Sequence, residues 1–82
     1  MLKVSVISPE AVLFEGETDA VVAPAYDGEI GILTGHAPLM ALLGKGQLRL
    51  GQSGQRFNVS GGFLQVINDD VRVVTEQATA AG

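Results

Sequence analysis

Apolar and polar residues alternate with period two along most of the chain, and glycine, proline, asparagine or aspartate cuts the alternation every few residues. Leu2, Val4 and Val6 share one face, with Lys3 and Ser5 on the other, until Ser8-Pro9-Glu10 ends the run. That pattern predicts a half-buried strand and a turn. Ala11 to Phe14 form a short apolar piece broken at Glu15-Gly16-Glu17, and Thr18 to Ala23 resume with the β-branched Val21 and Val22 before Pro24, which predicts two strand segments. Leu39, Met40, Leu42 and Leu43 fit either a helical turn or a fully buried strand, since periodicity does not separate these over so short a run. Gly44-Lys45-Gly46 reads as a turn. The alternating Gln47-Leu48-Arg49-Leu50, the polar stretch Gly51 to Gln55 and then Phe57-Asn58-Val59 predict a hairpin. Ser60-Gly61-Gly62 precedes the apolar Phe63 to Ile67, and Asn68-Asp69-Asp70 turns the chain into Val71 to Thr75. The alanine-rich end is too short for a stable helix of its own, so a sandwich domain over 1–77 with a frayed tail over 78–82 is expected. Eight to ten short strands without an amphipathic helix predict an all-β sandwich or barrel.

The most informative stretch is Asp27-Gly28-Glu29-Ile30-Gly31-Ile32-Leu33-Thr34-Gly35-His36-Ala37-Pro38-Leu39. Asp27-Gly28 signals a chain reversal. Ile30 and Ile32 then point to one face of a short half-buried strand, leaving Glu29 and Gly31 on the other. A glycine there marks either a local bulge or a place where a partner's backbone comes close. Thr34-Gly35 and Pro38 break the strand, and the chain turns around His36 before re-entering the core at Leu39.

Eighty-two residues make one small domain, and a chain of this size buries only about 60% of its unfolded surface, so a docking partner would add to its stability. Apolar residues form 46% of the chain and charged residues 17%, which fits a folded core and not a disordered tail. The net charge of -4 removes the electrostatic footprint of a nucleic-acid or anionic-bilayer binder. Without cysteine there is no disulfide, thiolate metal site or cysteine nucleophile. The N-terminus lacks the continuous apolar core of a signal peptide, and no run approaches the roughly 18 apolar residues of a membrane span.

Catalytic chemistry is not assembled anywhere. His36, the single histidine, has neither a second histidine nor a cysteine to share a metal with, and is expected to fix a turn by hydrogen bonds. Ser5, Ser8, Ser53 and Ser60 lie outside any nucleophile-elbow pattern. Most carboxylates sit at turns, and Asp69-Asp70 lacks the ligand count of a calcium loop. Lys45 is followed by Gly46 where a phosphate-binding loop needs serine or threonine. No catalytic residue, metal or cofactor is expected, which favours a binding or structural role.

Taken together, Ser8-Pro9-Glu10, the stretch from Asp27 to Leu39, Gly46 at the next strand and Ser60-Gly61-Gly62-Phe63-Leu64 followed by Val66 resemble one family: the epsilon subunit of bacterial F-type ATP synthases, equivalent to the mitochondrial delta subunit. The resemblance covers nearly the whole chain. It implies a ten-stranded β-sandwich of two antiparallel sheets on the rotating central stalk, peripheral to the cytoplasmic face of the bacterial plasma membrane. In the family this domain has no active site; it packs against the gamma subunit, rests on the polar c-ring loops and helps couple proton flow to ATP synthesis. By position, Tyr26, Asp27, Gly28, Glu29, Ile30, Gly31 and Ile32 match the c-ring-facing loop. His36, Ala37, Pro38, Leu39, Met40, Leu42 and Leu43 match the region near gamma. Many members continue into a C-terminal helical hairpin that inhibits ATP hydrolysis and in some binds ATP; this sequence ends at Gly82, so neither property is carried over. Pro24-Ala25-Tyr26 stands where the family often has Pro-Gly, a departure at the turn itself.

The competing reading is a swinging-arm carrier of the biotinyl or lipoyl kind with Lys45 as the modified residue, since such carriers are also small acidic all-β domains with a lysine on a hairpin tip. Gly44 and Gly46 speak against it, because carriers flank that lysine with methionine, alanine or aspartate. Intact-mass spectrometry separates the two: the stalk reading expects the bare polypeptide mass, and an added biotinyl or lipoyl group would favour the carrier.

Overall fold

The computed structural model describes residues 1–51 and 54–81, and the described chain is all β. The strands are β1 (Leu2–Ile7), β2 (Val12–Thr18), β3 (Ala20–Ala25), β4 (Gly28–Leu33), β5 (Leu39–Leu42), β6 (Lys45–Leu50), β7 (Gln55–Ser60), β8 (Phe63–Ile67), β9 (Asp70–Val74) and β10 (Gln77–Ala81). They form two five-stranded sheets, in the orders β2-β1-β9-β8-β5 and β10-β7-β6-β3-β4. We call these sheets A and B. Alternation dictates the interior: Leu2, Val4, Val6, Leu64, Val66, Val71 and Val73 face inward from sheet A, and Val21, Ala23, Ile32, Leu48, Leu50, Phe57 and Val59 from sheet B. Phe14 and Phe57 meet edge-on with centroids 6.2 Å apart.

Several expectations are corrected. Sheet A is mixed, because β1 runs parallel to β9 from Lys3↔Asp70 to Ile7↔Val74, while the other strand pairs are antiparallel. A parallel pair needs a long crossover, and here the whole of β2 to β8 provides it. Val12 to Thr18 form one strand that passes through Gly16, and the break falls at Asp19. The tail expected at 78–82 is strand β10 as far as Ala81, paired with β7 from Gln77↔Ser60 to Ala81↔Arg56, with Ala78 packed against the core. Gly82 lies outside the described residues, as do Gln52 and Ser53 in the polar link between β6 and β7. Gly31 is not a bulge: β3 and β4 pair without a shift from Ala20↔Leu33 to Ala25↔Gly28.

Gly44-Lys45-Gly46 is not a turn either. Lys45 opens β6 and pairs with Ser60. The two glycines serve close approach: a methyl at Gly44 would stand 2.9 Å from the Ala25 carbonyl oxygen, and one at Gly46 would stand 2.8 Å from Cβ of Pro24. Pro24 fits a central strand because the β3–β6 ladder carries Val21↔Leu50 and Val22↔Arg49 and stops before it, so its missing N–H breaks nothing. Where the ladder stops, Gly44 N–H donates to the Pro24 carbonyl at 2.7 Å, and Leu43 bridges to Ala25. The chain passes from sheet A to sheet B at this point.

The Ser60-Gly61-Gly62 turn has equally specific causes. Both glycines have positive φ, 74° and 102°. The Thr75 hydroxyl, buried beneath them, shares its proton between the carbonyls of Gly61 at 3.0 Å and Gln77 at 2.9 Å. The Gly62 carbonyl accepts from Leu43 N–H at 2.9 Å, tying this turn to the sheet crossing. A side chain at Gly62 would fall on the backbone of Val74 and Thr75, whereas one at Gly31 would enter open space at an ordinary φ. Gly62→Ala should therefore cost about 2 kcal/mol or more and lower the melting temperature by roughly 8 °C or more. Gly31→Ala should leave it unchanged or slightly raised. Thermal unfolding followed by circular dichroism checks both, and a Gly62→Ala chain as stable as its parent would contradict this account of the turn.

Candidate functional site

Outward-facing positions of the two sheets differ in kind. On sheet A the register places Leu42 opposite Phe63, Phe63 opposite Val74, Val74 beside Ile7, and Ile7 opposite Val12. Residues opposite one another share a face, so these five make an apolar row that crosses all five strands on the outer surface. Leu42 and Val12, at its ends, are 66% and 59% exposed, and Phe63, Val74 and Ile7 are half-buried. The next row is Met40, Gln65, Arg72, Ser5 and Glu15, and the one beyond runs through Ile67, Asp70, Lys3 and Glu17. The face thus grades from apolar to charged. Sheet B presents Gln47, Arg49, Arg56, Asn58 and Thr79 outward and has no comparable row.

The expected gamma-side segment lies at one end of this apolar row. His36 fixes the turn as expected, with its N–H donating to the Leu33 carbonyl at 3.1 Å and ring Nδ1 2.7 Å from the Ala37 carbonyl, an arrangement in which Nδ1 carries the proton. Ala37 and Pro38 are exposed. Leu39 and Leu43 turn inward, whereas Met40 and Leu42 stand on the outer face, 65% and 66% exposed. The expectation that the chain simply re-enters the core is therefore corrected: the segment is a strand with one apolar face in and one apolar face out. Leu42 in particular is a surface residue.

The expected c-ring-facing segment is the β3–β4 turn with all of β4 except Leu33, at the edge of sheet B. Tyr26 is 83% exposed at the turn, beside exposed Asp27 and Gly28. Ile32 is in the core, Ile30 is half-buried against it, and Gly31 is exposed. Glu29 is exposed, and Arg49 Nη2 donates to both of its carboxylate oxygens at 3.1 Å. An exposed pair of this kind contributes about 1 kcal/mol or less, so it orients Glu29 more than it stabilises the fold. The two segments are joined: Tyr26 N–H donates to the Leu42 carbonyl at 2.9 Å. Tyr26 and Leu42 are consequently neighbours at one corner of the sandwich, both exposed.

No reaction centre accompanies this corner. Among the described residues no three of histidine, cysteine, aspartate and glutamate gather as a metal site. Ser5, Ser8 and Ser60 have no histidine beside them in any described hydrogen bond, and Ser53 lies outside the described residues. The surface hollow at the β8–β9 turn, lined by Gln65, Ile67, Asn68, Asp70 and Arg72, has no histidine, serine or threonine in its lining. Lys45, the residue on which the carrier reading rested, projects from a paired strand and not from a hairpin tip. Among the described residues no helix is long and apolar enough to cross a membrane. The apolar row itself escaped sequence reading because each strand supplies a single one of its residues, at distant positions.

Comparison with known proteins agrees with this picture. A family model described as the β-sandwich domain of the ATP synthase delta/epsilon chain matches residues 1–81. The ATP synthase epsilon chain of Leptospira borgpetersenii is 46% identical over 77 residues, which cover 92% of this chain and 61% of that relative. That of Desulforamulus reducens is 46% identical over 81 residues, covering 96% and 61%. The chain thus spans 61% of the length of these relatives. Among solved structures, a chain of the Euglena gracilis mitochondrial ATP synthase OSCP/F1/c-ring assembly superposes with a TM-score of 0.87 at 24% identity, over 96% of this chain and 52% of that one. A chain of the Tetrahymena thermophila mitochondrial ATP synthase central stalk and c-ring gives 0.78 at 17% identity, over 95% and 65%. At those identities the likeness establishes the sandwich fold.

Proposed function

The chain belongs to the ATP synthase delta/epsilon family, as its β-sandwich domain, and we propose that it is a non-catalytic central-stalk element bridging the gamma subunit and the c-ring loops. The observation that carries this reading is the apolar row Leu42, Phe63, Val74, Ile7 and Val12, which ends at the corner shared with Tyr26. A contiguous apolar stripe on one face of a small domain, graded into charge on the same face, has the make-up of an interface core with a polar rim. Gamma covers that row, with His36 to Leu43 at one end of it. The β3–β4 turn, with Tyr26 at its tip and Glu29 held by Arg49, meets the polar ring loops. Solved assemblies of related fold contain the c-ring together with F1 or the central stalk, which makes both partners available to such a domain.

The mechanism is mechanical. No step of bond making takes place here; two sheets packed through a common core move as one body, so rotation of the ring is transmitted to gamma without slippage and proton flow stays coupled to ATP synthesis. The protein is held at the membrane through the ring, on the cytoplasmic face in a bacterium, with no insertion of its own.

Size-exclusion co-elution with gamma from the same source should give a one-to-one complex. Leu42→Asp, which buries a charge in the apolar row, should weaken that complex at least about tenfold, while Asn58→Asp on the opposite face leaves it unchanged. Glu29→Ala should weaken contact with the ring by about 1 kcal/mol or less, as for an exposed charge. Failure to bind a folded gamma, or equal losses from Leu42→Asp and Asn58→Asp, would contradict the assignment.

A further inference from the structure

The Gly35-to-Pro38 loop at the head of the proposed gamma segment is held from outside by one carboxylate. Gly35 N–H donates to Asp69 Oδ1 at 2.7 Å, across 34 positions of sequence. Asp69 lies in the tight turn between β8 and β9, where Asn68 and Asp69 both have positive φ, 50° and 61°. Two such residues make the hairpin turn that favours Asn-Gly, so the second position suits glycine better than aspartate. The Asp69 carbonyl meanwhile accepts from Lys3 N–H at 2.8 Å, which pins its backbone to β1. A residue in a conformation that disfavours it, with its backbone anchored and its carboxylate on a distant amide, is placed to hold something.

We propose that Asp69 is a positioning residue for the gamma contact: through Gly35 it fixes, against sheet A, the loop that carries His36, Ala37 and Pro38 at the head of β5. The proposal rests on the reading of residues 36–43 as a contact segment. Gly35 has φ 87° and open space around it, and His36 closes the loop with bonds to Leu33 and Ala37. Those local bonds shape the loop but do not tie it to sheet A. Besides the strand pairing of β5 with β8, the Asp69 carboxylate is the described bond that does so, and a charged acceptor at this distance makes a strong bond.

Two variants separate positioning from turn structure. Asp69→Gly keeps, and even favours, the positive φ while deleting the acceptor; Asp69→Asn keeps an acceptor oxygen and tolerates the same φ. In the free chain, the Gly35 amide proton resonance should lie downfield in the wild type, move upfield in Asp69→Gly and stay near its place in Asp69→Asn, with melting temperatures of all three within about 4 °C. Affinity for gamma should fall about tenfold in Asp69→Gly, one hydrogen bond's worth, and only about threefold in Asp69→Asn, whose neutral oxygen keeps a weaker bond. An unmoved Gly35 resonance in Asp69→Gly overturns the tether. A moved resonance with unchanged gamma affinity overturns the positioning role. A wild-type chain that does not bind gamma overturns the stalk reading and the functional half of this proposal together, and is told apart from a failed tether because the Gly35 resonance is read without gamma.

Discussion

Everything in this sandwich that bears on function depends on the hydrogen bond from Gly44 N–H to the Pro24 carbonyl, 2.7 Å long, at the point where the chain leaves one sheet for the other. It forms because Gly44 and Gly46 have no side chains to keep β3 away, and because Pro24 asks nothing of the ladder that stops beside it. Leu43 is buried there, its amide on the Gly62 carbonyl. One residue earlier, the Leu42 carbonyl receives Tyr26 N–H. An exposed turn of sheet B and an exposed strand of sheet A are thereby hydrogen-bonded side by side.

That arrangement suits the proposed role in the stalk. A domain this small has a thin margin of stability, and it still leaves Leu42, Met40 and Val12 well exposed on one face. Scattered apolar residues on a surface need no explanation. A row that crosses every strand of a sheet does, because a free monomer gains nothing from it, and burial against a partner recovers the hydrophobic contribution. Sheet B, whose outer face is mostly polar with Leu33 exposed at its edge strand, offers no second row of that kind.

Most of the fold was legible in the sequence. The alternation of Leu2, Val4 and Val6, the valines of β9 and the punctuation by Gly and Pro identify short strands and their inward faces, because period two is a property of each strand alone. Relations between strands were not legible. The parallel pairing of β1 with β9 has no local signature, and β10 reads as a frayed alanine-rich end because its support comes wholly from β7. Lys45 looked like a turn residue because two glycines flank it, yet those glycines make room for Ala25 and Pro24 and form no turn. Leu42 looked like core because it is leucine; only the register with Phe63 puts it outside. Asp69 read as turn punctuation, and its bond to Gly35 becomes visible only once two loops 34 residues apart are brought together. The family resemblance supplied what periodicity lacks, an expectation of which loops face partners.

The central claim is that the outer face of sheet A is covered by gamma while the outer face of sheet B is not. Hydroxyl-radical footprinting of the chain alone and in complex with gamma measures this directly, since Met40, Leu42 and Phe63 report from one face and Lys45, Arg49 and Arg56 from the other. The account predicts several-fold protection of Met40, Leu42 and Phe63 on complex formation, with the sheet B residues unchanged. Protection confined to sheet B, with Met40 and Phe63 as reactive in the complex as in the free chain, would contradict it.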